Sequence, residues 1–163
     1  MYLCSMNRLR LAIIIVGLLS ALAVAAEDIH EQIEAARKDM YRLYGTDSVS
    51  QFLETTDRLK ALTKESGDNQ LFYKTWSNQA LYVFRKVDRD RGLAIVKEER
   101  EYALAKDEKY GLYAASSAYT TMMSSIGLID QAEKGLYESI GYLHRYFPNE
   151  SGRSGLYRAC QDQ

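Results

Sequence analysis

From residue 28 onward, apolar residues recur at steps of three, four and seven, the spacing of helices that each bury one stripe. The clearest run is Phe72, Trp76, Ala80, Val83, Phe84 and Val87. The same rhythm predicts six helices. The first covers about Asp28 to Tyr44 and ends at Gly45, which can take a left-handed cap without a Cβ penalty. Thr46 and Asp47 cap the second, which carries Val49, Phe52, Leu53, Leu59 and Leu62 and runs to about Glu65. Gly67-Asp68-Asn69 is a turn before the third. The fourth starts near Asp88 to Asp90, with Leu93, Val96, Ala103 and Leu104 inward and Lys97-Glu98-Glu99-Arg100-Glu101 turned to water. The fifth, from about Glu108, places Leu112, Ala115, Tyr119, Met122, Met123 and Ile126 in register. The sixth holds Ile129, Ala132, Leu136, Ile140, Leu143 and Phe147 and stops at Pro148, the only proline in the chain. Short connections force consecutive helices to lie antiparallel. No stretch alternates at period two for long enough to suggest a sheet, so the pattern predicts an all-α fold.

The pattern also repeats. The turn at Gly127 to Asp130 has counterparts at Val87 to Asp90 and Gly45 to Ser48, about 40 residues apart. A shift of 40 sets Gly92 on Ala132, Val96 on Leu136 and Tyr102 on Tyr142. Gly-Leu-Tyr opens the fifth helix at 111–113 and recurs at 155–157, where a seventh would begin. The chain ends at Gln163, so the expectation is three helix pairs plus a partial seventh helix, an array incomplete at its C-terminus.

The first 26 residues break the pattern. Asn7-Arg8-Leu9-Arg10 is a basic region, and Leu11 to Ala26 is apolar and ends in small residues. This layout predicts a secretory signal peptide over 1–26, cleaved after Ala26 or Ala25, and a helical-repeat domain over 27–163. The apolar run is 16 residues, short of the roughly 20 that span a bilayer. The expected location is therefore the periplasm, with no membrane span in the mature chain.

Composition changes the picture only by exclusion. At 47% hydrophobic and 26% charged residues the chain is globular rather than disordered. The net charge is −1; without Arg8 and Arg10 the 21 basic residues become 19 against 22 acidic, or −3, which gives no footprint for nucleic acid. Beyond the leader only Cys160 remains, so no internal disulfide is expected; an unpaired thiol in an oxidising compartment suggests an intermolecular bridge or a reactive group, and the preferred reading is a small buried residue of the seventh helix. His30 and His144 lie in the first and last helices, and neither has a nucleophile or acid at catalytic spacing. No phosphate loop or nucleophile elbow occurs, and one cysteine with two distant histidines cannot hold a metal. The expectation is a protein with no catalytic residues, no cofactor and no metal.

Met123, Gly127, Ala132 and Leu136 fall at steps of four, five and four, which resembles the tetratricopeptide repeat. Ser116 stands at that family's tryptophan position, Thr120 at its glycine and Ser139 at its second small residue. Val87 replaces the turn glycine of the middle pair, and Phe52 lies near a small position in the first. The stretch FYKTWSNQALYVFRKVDRDRGLAIVKEEREYA, with YGLY and QAEKGLYESIGYLHRYFPNES after it, resembles the extracytoplasmic helical-repeat region of bacterial membrane histidine kinases or transcriptional regulators. The resemblance implies a right-handed superhelical stack of about three antiparallel pairs. It also implies a sensing or dimerising role, any kinase activity lying in a further C-terminal part. A stand-alone scaffold for envelope proteins is the rival. In such arrays the first helix of each pair lines a concave binding face. Here that face would carry Gln32, Asp39 and Arg42, then Lys74, Ser77, Asn78 and Arg85, then Ala114, Ser117, Thr121, Ser124 and Ser125, toward a protein or peptide partner or a second copy.

Overall fold

The structure, a computed structural model, describes residues 28–146. The leader, Pro148, the second Gly-Leu-Tyr, Cys160 and the partial seventh helix lie outside the described residues. Among the described residues six helices run in order: α1 (28–44), α2 (Val49–Ser66), α3 (Asn69–Lys86), α4 (Arg89–Ala105), α5 (Lys109–Ser125) and α6 (Ile129–Tyr146). There is no strand among the described residues.

The repeat is set to the residue. Val49, Arg89 and Ile129 open α2, α4 and α6, and Asn69 and Lys109 open α3 and α5, each interval being 40 residues. Asp68 and Asp88 fix two of these starts: their carboxylates accept from Leu71 N at 3.0 Å and Arg91 N at 2.7 Å, serving amides with no partner inside the helix. Gly67 and Gly127 turn the chain with φ of 77° and 76°. Asp107 occupies the place of Gly67 one repeat later and takes φ of 52°, a left-handed conformation that a side chain disfavours.

Burial follows the same register. α2 buries Phe52, Thr56, Leu59 and Thr63; α4 buries Gly92, Val96, Glu99 and Ala103, the positions 40 residues on. In α6 the matching Ala132, Ser139 and Leu143 are buried and Leu136 is half-buried. α3 packs against α2, α4 and α5 and, through Leu71 and Tyr82, against α1; α5 packs against α3, α4 and α6. These two middle helices are therefore covered over most of their circumference. One core cluster joins Ile33, Ala36, Met40 and Leu43 of α1 to Phe52, Leu59 and Tyr82. The Phe52 and Tyr82 rings stack at 3.9 Å, and the Tyr82 hydroxyl donates to the Thr46 carbonyl at 2.9 Å. Two further clusters centre on Phe72, Tyr73 and Leu112, and on Phe84, Val96 and Met122. At Gly92 α4 lies directly on α3: an added Cβ would lie 2.5 to 2.7 Å from Phe84 Cβ, Cα and N.

Gly45 takes no left-handed φ, and α2 is capped at Ser48 without a side-chain bond, so neither expected cap forms; four residues also depart from the expected in–out pattern of the helices. Leu104, Ile129 and Val87 face outward, at 55%, 61% and 43% exposure. Leu104 sits one position past the buried Ala103, about 100° round the helix. Val87 lies in the turn beyond α3, and Ile129 opens α6 before its buried stripe begins. The fourth is Glu99, expected in water and completely buried.

Candidate functional site

The residues expected on one binding face separate into two groups. Lys74, Asn78 and Arg85 share the least buried stripe of α3 with Leu81, at steps of four, three and four. Arg85 Nη1 donates to the Tyr44 hydroxyl at 3.3 Å, tying α3 to α1. On α5, Ser117 and Thr121 are half-buried and Ser124 is exposed; Thr121 Oγ1 donates to the Ser117 carbonyl at 3.0 Å. Ser125 is exposed, its hydroxyl donating to the Met122 carbonyl at 2.7 Å. On α1, Gln32 donates to Asp28 at 3.3 Å, and exposed Asp39 and Arg42 pair with each other at 3.1 Å. Ser77 and Ala114 leave the group. Ala114 packs in the cluster around Phe72 and Tyr73, and Ser77 turns inward toward α4. Both follow from the cover of α3 and α5 by their neighbouring helices, which leaves only a narrow stripe of each helix open.

At one end of this face a groove of about 760 Å³ opens between α1 and α3. Ile29, Ile33 and Leu71 give it an apolar floor, with Lys74 and the Arg37–Glu34 pair, 2.6 Å apart, at its edge. Lys74 is the single residue of the expected face that lines it. A volume of this order falls within the range of small-ligand and peptide side-chain sites.

The second group is internal. The Ser77 hydroxyl lies 2.9 and 3.1 Å from the two carboxyl oxygens of Glu99. A hydroxyl has one proton, so an ionised Glu99 would leave one oxygen without a donor in a site closed to water. Burial pushes the carboxyl up to about 8, only partly opposed by the Ser77 hydrogen bond and the charge of Lys60. Glu99 is thus mostly a neutral acid at pH 7, and as an acid it can donate back to Ser77 Oγ. Tyr73 is raised as well, first by burial and then by the charges of Glu108, Tyr102 and Glu99. With Glu99 fully buried and Ser77 8% exposed, the pair is closed to a substrate and acts as an internal link between α3 and α4. Beside it, Lys60 Nζ donates to Gln79 Oε1 at 2.6 Å and pairs with Asp57 at 2.9 Å, while Gln79 Nε2 donates to Asp57 at 2.9 Å.

The repeat register carries the signal that finds Glu99. Forty residues before and after it stand Leu59 and Ser139, both buried, so an acid at this position enters the core. Helical spacing within α4 alone places Glu99 among four charged neighbours and hides this. Among the described residues no group of three His, Cys, Asp or Glu is arranged to hold a metal, and no helix is long and apolar enough to cross a membrane. No protein-family model, no curated protein and no solved structure matches the chain.

Proposed function

We propose that the chain is a non-enzymatic binding domain acting outside the cytoplasm, the sensing or dimerising part of a bacterial signalling protein. We propose too that its helix pairs follow a tetratricopeptide-like superhelix, with α1, α3 and α5 on the inner side. The observation that carries the reading is the 40-residue register, in which α2, α4 and α6 bury the same positions while α3 and α5 lie side by side. Such an array spends its sequence on stacking and leaves a continuous face for a partner. That face is polar here, through Lys74, Asn78, Arg85, Ser117, Thr121 and Ser124, and it runs into the groove beside α1. A protein or peptide partner, or a second copy, suits a surface of this length. The localisation rests on the basic-then-apolar pattern of residues 1–26.

The test is site-specific photo-crosslinking in bacteria expressing the chain. A crosslinking residue is placed at Asn78 or Ser124, and separately at Glu98 or Glu133 on the outer helices. A discrete adduct from the inner positions alone supports the reading. Equal labelling from both sets counts against it. A fusion of alkaline phosphatase to the C-terminus reports export, and an inactive, cytoplasmic fusion removes the extracytoplasmic role.

A further inference from the structure

A second cavity, of about 380 Å³, lies between α4 and α6 with α5 as its floor. Its counterpart one repeat earlier, between α2 and α4 over α3, shows what normally fills such a place. There Trp76 lies against Phe72 and Tyr102, with ring centroids 5.6 and 5.5 Å away, and the Lys60 ammonium sits 5.4 Å above its ring. Moving forward by 40 residues, the register that sets every helix start, replaces Trp76 by Ser116, Ile95 by Gly135 and Lys60 by Arg100. The aromatic filling is lost and the cation above it is kept. All three replacing residues line the cavity.

Two details show that the place has not simply closed. Ser116 is 2% exposed, and its hydroxyl has no hydrogen-bond partner. Gly135 seats α6 directly on α5, since a Cβ there would lie 2.6 Å from Thr120 Oγ1. Even at that close approach the cavity persists. Leu93 and Val96 give it apolar walls, and Tyr119 stands beside the floor.

The rim sets the charge of an occupant. Arg100 Nη1 is paired with Glu138 at 2.9 Å across the mouth. Lys97 and Lys134 also line it; Lys97 is only loosely paired, 3.8 Å from Glu101, and Lys134 has no ion-pair or hydrogen-bond partner among the described residues. The lining therefore carries three cations against one carboxylate.

We propose that the α4–α6 cavity binds a small planar aromatic acid, its ring in the place of the missing tryptophan and its carboxylate toward Lys134 and Lys97. The ring stacks beneath Arg100 as Trp76 does beneath Lys60. The volume suits one such molecule, and the apolar walls with a few convergent charges match the usual construction of small-ligand sites. This site lies on the outer helices and does not depend on the partner face proposed above.

Indole-3-acetate is the probe, titrated into the full chain and followed by amide chemical shifts and calorimetry, with indole and acetate as controls. The expected dissociation constant is about 0.1–1 mM, within the bound that ligand efficiency sets for a molecule of this size. Indole should bind about two- to fivefold more weakly, as should indole-3-acetate to Lys134→Gln, since an exposed ion pair contributes that much. Acetate alone should not saturate. Ser116→Trp should abolish binding while keeping the helical circular dichroism. The proposal is overturned if indole-3-acetate shows no saturable binding, or if a folded Ser116→Trp variant binds it unchanged. If that variant does not fold, the Lys134→Gln comparison decides, and equal affinity of the acid for both proteins overturns the proposal.

Discussion

Replacing Glu99 by Gln should remove a pH dependence of stability that the native protein carries. The carboxyl has an ordinary value of 4.5 when the chain is unfolded and about 8 when it is buried beside Ser77. Between those values the folded state holds a proton that the unfolded state has released, so stability falls as pH rises. The contribution is complete below pH 4.5 and is lost as pH passes through 8. One proton gives a slope of at most about 1.4 kcal/mol per pH unit, and the full span is about 5 kcal/mol, of which about 3 is already gone at pH 7. Gln has nearly the same shape, is neutral at every pH, and offers Ser77 Oγ a donor. Urea unfolding of both proteins, followed by circular dichroism from pH 5 to 9, isolates the effect because all other titrating groups are shared. Burial pushes the Asp57 carboxyl up, but hydrogen bonds from Lys60 and Gln79 and the charge of Lys60 outweigh it, and the Lys86 hydrogen bond and charge hold Asp47 down, so both lie below the ordinary carboxylate value and their transitions fall below this window. The two proteins should be within about 1 kcal/mol at pH 5, with Glu99→Gln ahead by several kcal/mol at pH 9. Parallel curves over that range would refute the reasoning, because they would mean Glu99 ionises freely in the folded chain.

Two further predictions concern the backbone. Gly92→Ala should destabilise by about 1–3 kcal/mol, because the new methyl meets the α3 backbone at Phe84, which cannot step aside as a side chain can. The same substitution at Gly141, within α6 and with nothing within 4 Å, should instead stabilise by about 0.5–1 kcal/mol through helix propensity, and thermal melts of the two variants should move in opposite directions. Asp107→Gly should stabilise by up to about 1 kcal/mol, since glycine takes φ of 52° without penalty; an unchanged or lower midpoint in urea would show that the Asp side chain compensates.

The helices themselves were written into local chemistry. Three- and four-residue spacing, Asp68 and Asp88 before helix starts and Gly67 and Gly127 in the turns all act within a few residues, so each element could be placed without knowing its neighbours. The 40-residue interval was equally visible, because a stack of like pairs needs like residues at like places. Which side of a helix would be covered was not local. The stripe Phe72, Trp76, Ala80, Val83 points one way, yet α3 is packed by four helices, so Thr75, Ser77 and Gln79 are buried as well. That cover removed Ser77 from the expected binding face and set it against Glu99.

The sequence by itself therefore determined the number and spacing of the described helices, for these depend on propensity and turns along one chain. The tertiary structure decided the fate of individual side chains. A charged residue such as Glu99 loses its water only when another helix lies across it. A small residue such as Ser116 leaves a cavity only when the helices on either side of it, α4 and α6, do not close over it. Both outcomes depend on the approach of α3, α4, α5 and α6 in space, which no spacing within a single helix records.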